Sequence, residues 1–350
     1  MKRPKLKVPS FKKDKNLTEP AGRITNETVA EHREKILAGG RKFKYPIQYA
    51  RHKLVVNTII ISIGTILLAS GFIWWQLYQA QNSSVVFYRI TKVVPLPVAV
   101  VDDEQVKFSD YLRRYRSAEY YHIQYDKIKP ETDDGRRQLN VARRRSMDSS
   151  IALAYAAKLA RDYSITVSDQ EVSDIIEQTK TTENGKVSQE AFDASAKQYY
   201  DWDPDEYRLD TKQRLLQQKV AYDMDKQAFD KQKQAAELVT QPNADFVAIA
   251  KQLGGEGKAM VEAGSPGLIN ISSSYRGLNS EAVRLEPGKI SGAVKSSTGD
   301  GYYFIRLFSK SAEQVHYEYI HIPLTAFDEQ LDKIKREGKV QEYIKITEDK

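Results

Sequence analysis

The longest apolar segment of the chain is a run of 22 residues without charge, from Leu54 to Trp75. As an α-helix it would be about 33 Å long, which is enough to cross the hydrocarbon core of a bilayer. Trp74, Trp75 and Tyr78 lie together at its far end, where interfacial aromatic residues are expected. The pattern therefore predicts a transmembrane helix over residues 54–78.

After this run the apolar residues mostly recur at helical spacing. A polar stretch with two prolines, residues 79–97, is predicted to be a linker. Residues 98–240 are predicted to form an all-α domain that opens with a short β-like run at Val98 and an acidic turn.

Local signals mark where the helices of this domain begin. Ser109 fits as the N-cap of the first helix, and Ser168 with Glu171 has the spacing of a capping box. After the break at Asp203-Pro204, one long helix is predicted from Asp205 to about Glu237.

The pattern changes again after Pro242. A short helix at 243–253 precedes a glycine-rich loop at 254–267, and the strand-like segments KISGAVK, YYFIRLF and VHYEYIHIPL follow. The last two alternate between apolar and polar residues, as half-buried strands do. Residues 241–350 are therefore predicted to be an α+β domain with an antiparallel sheet.

Charge is distributed unevenly and changes the interpretation of the apolar run. Residues 1–53 hold 15 Lys/Arg and 5 Asp/Glu, a net charge of +10, whereas the whole chain carries +7, so the remainder sums to −3. The positive-inside rule then predicts a single-pass protein of the cell membrane, with a cytoplasmic arm at 1–53 and residues 80–350 extracytoplasmic. A cleaved signal peptide and a buried core helix are the alternatives.

The basic arm contains a candidate helix of its own. Thr25 or Asn26 can cap it, and Gly39-Gly40 can end it. Its lysines and arginines would attract anionic lipid headgroups, or would serve only as a topology signal. Because aromatic residues are not interleaved with the basic ones, nucleic acid is not an expected partner.

Composition excludes several kinds of chemistry. The chain has no cysteine, so disulfides, thiolate nucleophiles and cysteine-ligated metals are excluded. Its five histidines show no metal-binding spacing, so no metal or other cofactor is expected. Tyrosine, in contrast, is abundant, with 21 residues, and crowds around 111–125 and 199–207. Such density predicts either helix packing or an apolar surface for unfolded chains.

Residues 98–240 resemble the N-terminal chaperone domain of the SurA, PrsA and PpiD foldases. The resemblance rests on three segments in the same order: VAVVDDEQVKFSDYLRRY, ITVSDQEVSDII and YYDWDPDEYRLDTKQRLLQQKV. It implies a domain that binds unfolded or newly secreted polypeptides without ATP, close to the translocon.

Residues 244–308 resemble a parvulin-type peptidyl-prolyl isomerase, through ADFVAIAKQL, LEPGKISGAVK and GYYFIRL. The first strand of that family is missing before Ala244, and VHYEYIHI follows the last expected strand instead. We therefore predict a circularly permuted parvulin fold in which residues 315–324 supply the displaced strand and pair with 302–308, since an absent central strand would leave backbone groups unpaired.

The parvulin resemblance also implies site residues. The two histidine positions of the family fall on Tyr303 and Tyr319, and His321 is on the same strand face as Tyr319. These three are the candidate catalytic residues, and the candidate proline-pocket residues are Ser274, Leu278, Leu268 and Tyr275. Nearly all of the usual side chains are replaced, so the module is either a divergent isomerase or a retained non-catalytic scaffold.

Three functions follow from these patterns. The first is a membrane-anchored extracytoplasmic chaperone that holds polypeptide clients in a cradle between its two domains. The second is an active prolyl isomerase of the same architecture. The third is a cell-envelope scaffold that binds one fixed partner.

Overall fold

The computed structural model describes residues 25–347 except 45, 183, 184 and 274. The chain divides between Phe72 and Ile73 into two compact units.

The first unit contains α1 (Asn26–Lys44) and most of α2 (Pro46–Trp74). The predicted start of the arm helix is confirmed, and the Thr28 hydroxyl donates to the carbonyl of Thr25 over 2.8 Å. The predicted end at Gly39-Gly40 is wrong, because α1 continues to Lys44. A glycine costs a helix only about 1 kcal/mol and does not end it alone.

The apolar segment is one continuous helix, since α2 passes into a π-helical turn at Trp75–Gln79. Over Lys53–Gln79 it is long and apolar enough to cross a membrane, and its most apolar window of 18 residues has no buried residue. These properties are compatible with a membrane anchor and with a signal sequence.

The last turn of this helix lies in the second unit and packs into its core. Leu77 is fully buried. The Tyr78 hydroxyl donates to the carbonyl of Pro97 over 2.6 Å, and its ring meets Phe108 edge-on with 5.3 Å between centroids. The end of the apolar helix is therefore part of the folded body.

A helix occupies the middle of the segment that was predicted to be a linker. It is α3 (Val85–Val93), and Phe87, Tyr88 and Thr91 on one of its faces are buried. The linker prediction for 79–97 is therefore wrong over these residues. The prolines at 95 and 97 lie after the end of the helix. The helix itself is short and is stabilised by the tertiary packing of its apolar face, which local sequence does not show.

A helical body follows, opened by a β-hairpin, as the sequence predicts. The elements after α3 are β1 (Pro97–Val101), β2 (Glu104–Lys107), α4 (Phe108–Gln124), α5 (Asp133–Asp162), α6 (Asp169–Thr179), β3 (Thr181–Thr182), β4 (Gly185–Lys186), α7 (Gln189–Tyr200) and α8 (Pro204–Met224). The core of the helical body lies between α3, the hairpin of β1 and β2, α4, α5 and α8.

Capping residues place most of these helices. The predicted capping box of Ser168 and Glu171 is confirmed at the start of α6. The predicted N-cap at Ser109 is wrong, because β2 runs directly into α4 at Phe108. The buried Phe108 also donates its backbone N–H to Leu96, and the helix starts two residues earlier than it would with Ser109 as its N-cap.

Buried ion pairs connect α4 to α8. The carboxylate of Asp210 is fully buried and lies 3.2 Å from Arg113 and 2.7 Å from Arg114. Burial lowers the pKa of Arg114 to about 10 despite this neighbour. Removing Asp210 would deprive the buried Arg113 and Arg114 of this carboxylate, so the pairs fix how the two helices meet.

The predicted long helix after Pro204 is two helices. α8 ends at Met224, and α9 (Lys226–Leu238) begins after Asp225. The remaining elements are α10 (Phe246–Leu253), a 3₁₀ turn (Gly257–Ala259), β5 (Glu262–Asn270), α11 (Asn279–Arg284), β6 (Val294–Lys295), β7 (Gly301–Lys310), β8 (Gln314–Pro323), α12 (Ala326–Arg336) and β9 (Val340–Glu342).

A four-stranded antiparallel sheet, in the order β5-β8-β7-β6, forms the centre of the second half. The predicted pairing of residues 315–322 with 302–308 is confirmed by the pairs Tyr302 with Ile322 and Leu307 with Tyr317. The other edge of β8 pairs with β5. The predicted glycine-rich loop is therefore wrong from Glu262 onward, and KISGAVK is a strand only at Val294–Lys295.

The two faces of this sheet pack against different elements. On one face, Phe304, Ile320 and Ile322 pack with α9 and α10. On the other, Ile305, Leu307, Val315 and Tyr317 pack with α11 and the segment before it. Alternation along β7 and β8 separates these two sets.

The end of the chain returns to the helical body. Phe327, Leu331 and Ile334 of α12 pack into that core, and β9 pairs with β1. The sequence predicts 241–350 as one module, whereas these last elements share the core of residues 98–240. The helical spacing of the three apolar residues explains the docking of α12.

Asp225 lies where the chain leaves and re-enters the helical body. Its Oδ1 accepts the N–H of Ala228 at the start of α9 over 2.8 Å. Its Oδ2 accepts the N–H groups of Thr325 (2.7 Å) and Ala326 (3.1 Å) at the start of α12. One buried carboxylate therefore caps two helices.

We expect Leu77→Ala to lower the free energy of unfolding by about 2–4 kcal/mol, because it removes a fully buried side chain from the core. The matched control is Leu67→Ala, since Leu67 is 67% exposed and should change it by less than about 0.5 kcal/mol. Urea denaturation of the full chain in detergent measures both. Equal effects would contradict the packing of the last helical turn.

Candidate functional site

Strands β7 and β8 bring the three candidate catalytic residues together. Tyr303 and His321 are directly paired across the strands, and their rings stack with 4.4 Å between centroids. Tyr319 lies two residues from His321 on the same face, and its ring meets that of Tyr303 at 5.5 Å. The sequence prediction that Tyr319 and His321 share a face is therefore confirmed, and Tyr303 of the neighbouring strand contacts both.

Two further residues complete the cluster, and the sequence analysis missed both. Arg276 donates a hydrogen bond to the Tyr303 hydroxyl. That hydroxyl in turn donates to Asp300 Oδ2 over 3.0 Å. Arg276 and Asp300 form an ion pair over 3.2 Å. His321 Nε2 lies 3.3 Å from the Asp300 carbonyl. The charged residue in the turn just before β7 was the available signal for Asp300.

The turn that carries Asp300 holds its carboxylate from the other side. Ser296 and Thr298 donate to its Oδ1 over 2.5 and 2.9 Å. Burial alone would raise the pKa of Asp300, but the hydrogen bonds from Ser296, Thr298 and Tyr303 lower it below the usual value. Asp300 is therefore a fixed acceptor rather than a proton donor at neutral pH.

The two tyrosines and the histidine of the cluster are neutral, whereas Arg276 is charged and paired with Asp300. Burial raises the pKa of Tyr303 well above its usual value and that of Tyr319 to about 12. Burial also lowers the pKa of His321, although Asp300 opposes this effect. Phenols with raised pKa values are donors of hydrogen bonds, not bases, so the cluster can orient a polar group but has no activated nucleophile.

The candidate pocket residues are not gathered in one place. Leu278 is fully buried, as is Tyr303. The Tyr275 hydroxyl lies 3.3 Å from that of Tyr319 and so joins the cluster. Leu268 is 60% exposed and pairs with His316, which places it on the opposite face from Tyr319. Ser274 lies outside the described residues.

An open groove lies between α8, α9 and the sheet. It has a volume of about 520 Å³. Three aromatic residues line it, Tyr222, Phe229 and Tyr302, together with three lysines, Lys219, Lys226 and Lys295.

Contacts between the two sides hold this groove in shape. The Tyr222 hydroxyl donates to the carbonyl of Gly301 over 2.7 Å, and its ring meets Tyr302 edge-on at 5.0 Å. Lys295 Nζ lies 4.7 Å from the centroid of Tyr222. Phe229, in contrast, is 40% exposed and presents apolar surface to the groove.

The crowded tyrosines divide into core and surface. Tyr111 and Tyr115 are buried in the helical body. Tyr125 stacks with Tyr121 at 5.2 Å and with Tyr199 at 5.3 Å between centroids, and all three are exposed. The helix-packing interpretation is therefore confirmed for Tyr111 and Tyr115, whereas Tyr121, Tyr125 and Tyr199 form an exposed aromatic surface.

The helical part of this architecture carries the family assignment. Residues 47–221 match the model of the SurA-like N-terminal domain, from the apolar helix almost to the end of α8, which is half of the 350-residue chain. The chain belongs to the SurA-like N-terminal domain family. The search of curated proteins found no match. SurA-like chaperone domains bind unfolded polypeptides, so the family indicates a chaperone-like function.

The lowered pKa of His321 predicts a pH dependence of stability. The unfolded chain takes up a proton near pH 6.5 while the folded chain does not, so stability falls as pH drops from about 6.5 through the folded pKa. The His321→Asn variant should therefore lose less stability than the unmodified protein over this pH range.

NMR titration of the His321 imidazole should give a pKa below 6.5. Asp300→Asn should lower this pKa further, because the attraction of the carboxylate is lost. A pKa above 6.5 would contradict the burial of His321.

Proposed function

We propose that the protein is a membrane-anchored chaperone whose extracytoplasmic body, residues 80–350, holds unfolded or newly secreted polypeptides without ATP, close to the translocon. The groove carries this proposal, because it supplies open apolar surface beside a domain of a polypeptide-binding family. Aromatic rings and lysine stems contact many sequences, since they rely on area more than on directional bonds.

The charge distribution and the packing of Leu77 support anchoring. The arm before the apolar helix carries a net charge of +10, which favours a cytoplasmic N-terminus. Removal of the helix as a signal peptide would take Leu77 and Tyr78 out of the core that they help to form. We therefore favour an uncleaved anchor over residues 54–78.

The sheet module is best explained as a circularly permuted parvulin fold, residues 244–324, without catalytic activity. The central place of β8, between β5 and β7, supports the permutation, because it fills the position that the family gives to its first strand. The complete burial of Tyr303 and Leu278 supports a scaffold, since a proline substrate must reach both positions.

We expect Phe229→Ala to weaken binding of an unfolded client about five-fold, because losing one aromatic contact typically costs about 1 kcal/mol. Phe308→Ala is the matched control: Phe308 is 43% exposed, similar to Phe229, but lies on β7 away from the groove-lining residues. Fluorescence anisotropy with labelled unfolded polypeptides measures the affinity of the full chain in detergent.

The same measurement distinguishes a chaperone from a scaffold. Binding of several unrelated clients, each weakened by Phe229→Ala, is the expected result. If both variants lose affinity equally, or neither loses any, the groove is not the client-binding site. Binding of one polypeptide alone would favour the scaffold.

An active prolyl isomerase is the second candidate, favoured by the assembly of Tyr303, Tyr319 and His321 on one sheet face. Because Tyr303 is fully buried, we expect the full chain not to accelerate isomerisation of proline-containing tetrapeptides above the uncatalysed rate. Turnover that Tyr319→Ala abolishes would overturn this expectation and support the enzyme.

A further inference from the structure

Among the described residues, one face of helix α3 is buried by protein and the other leaves valines exposed. Phe87, Tyr88 and Thr91 lie on the inner face and are buried. The Tyr88 hydroxyl donates to Glu206 of α8 over 2.5 Å, which fixes the rotation of the helix about its axis. Burial of the inner face explains why the helix forms, but it does not explain why the residues on the outer face are apolar.

The outer face is aliphatic. Val86 and Val93 lie seven residues apart, on one side of the helix. Val86 is 64% exposed and Val93 is 83% exposed, and Val85 and Val94 beside them are also exposed. Ile90, between them along the helix, is partly buried and contacts the core of the helical body. Four exposed valines within ten residues are apolar surface of the kind that marks an interaction site.

The position of α3 in the chain identifies what this face meets. Only five residues separate Gln79, the end of the candidate membrane span, from Val85. Even fully extended they reach about 20 Å. The loop also folds back, because the N–H of Asn82 donates to the carbonyl of Gln76 over 2.9 Å. The outer face therefore lies close to where the apolar helix ends.

Charge at the edge of the outer face agrees with an interfacial site. Arg89 is exposed between Val86 and Val93 along the helix, and Lys92 lies at the border, 3.6 Å from Glu206. Long basic side chains beside aliphatic residues are typical of helices in the headgroup region, where the stem stays apolar and the charge meets phosphate.

We propose that the outer face of α3 is inserted in the lipid headgroup region, so that the body is held against the membrane surface by a second contact besides its anchor. This inference rests on the proposed anchoring by residues 54–78. The occupant is the bilayer itself, and a client or a second copy of the chain are alternatives that the experiment separates.

The absence of cysteine in the chain makes site-specific labelling direct. Val86→Cys, Val93→Cys and Leu67→Cys are labelled with an environment-sensitive fluorophore in the full chain and reconstituted into phosphatidylcholine–phosphatidylglycerol vesicles. Val247→Cys is the matched control, because Val247 is a valine on a helix, 67% exposed, in the sheet module. Quenching is measured with lipids that carry a nitroxide either just below the headgroup or deep in the acyl chain.

We expect the shallow nitroxide to quench positions 86 and 93 but not 247, and the deep nitroxide to quench position 67. If position 67 is quenched and positions 86 and 93 behave like 247, the lipid contact of α3 is overturned while the anchor stands. If position 67 is not quenched, the anchor itself fails. Emission at 86 and 93 that shifts only with added client, or only with rising protein density, would assign the face to that partner and overturn the proposal.

Discussion

The carboxylate of Asp225 is the contact on which the arrangement of the second unit depends. Helix N-termini carry unpaired N–H groups and partial positive charge, and a buried carboxylate satisfies both. Asp225 does this for α9 and α12 at once. The chain leaves the helical body at Asp225 and returns to it at Thr325, so this carboxylate fixes the starts of both helices relative to each other. The groove between α8, α9 and the sheet lies beside that connection.

Tyrosine has opposite roles on the two sides of the sheet module. On one face, Tyr303 is enclosed by Arg276, Asp300 and His321, so its hydroxyl is fully paired and its ring is inaccessible. Paired polar groups inside a core make it rigid. At the groove, Tyr302 is buried, but Tyr222 is only partly buried and lies beside the exposed Phe229. A protein that holds unfolded chains needs the second arrangement, since its contacts must tolerate many sequences.

The continuity between the apolar helix and the folded body has consequences for mechanism. Leu77 and Tyr78 belong to the core, so the body is not suspended from a flexible linker. The family match begins at residue 47, inside the same helix, which agrees with the helix being an integral part of the domain. On the function proposed above, a body that begins directly at the end of the apolar helix would meet polypeptides close to the lipid.

The sequence by itself determined the features that depend on local chemistry. The uncharged run of residues 54–75 forms a helix, the capping box at Ser168 starts α6, and the alternating VHYEYIHI forms β8, because hydrophobic periodicity and caps act within a few residues. The pairing of β8 with β7 was predicted from the family resemblance and from the cost of an unpaired central strand. Strand alternation also placed Tyr319 and His321 on one face, whereas the contact of His321 with Tyr303 depends on the register between the strands.

Only the tertiary structure decided which surfaces were covered. The local pattern predicts a linker at the valine-rich α3 and a loop at residues 262–267. The structure has a helix and a strand there, because both are stabilised by neighbours that are distant in sequence. The return of α12 and β9 to the first core, and the enclosure of Tyr303 by Arg276 and Asp300, also join residues far apart in the chain. The local pattern indicates which residues of a segment can be buried. Which other segment buries them depends on the free energy of the whole packed core.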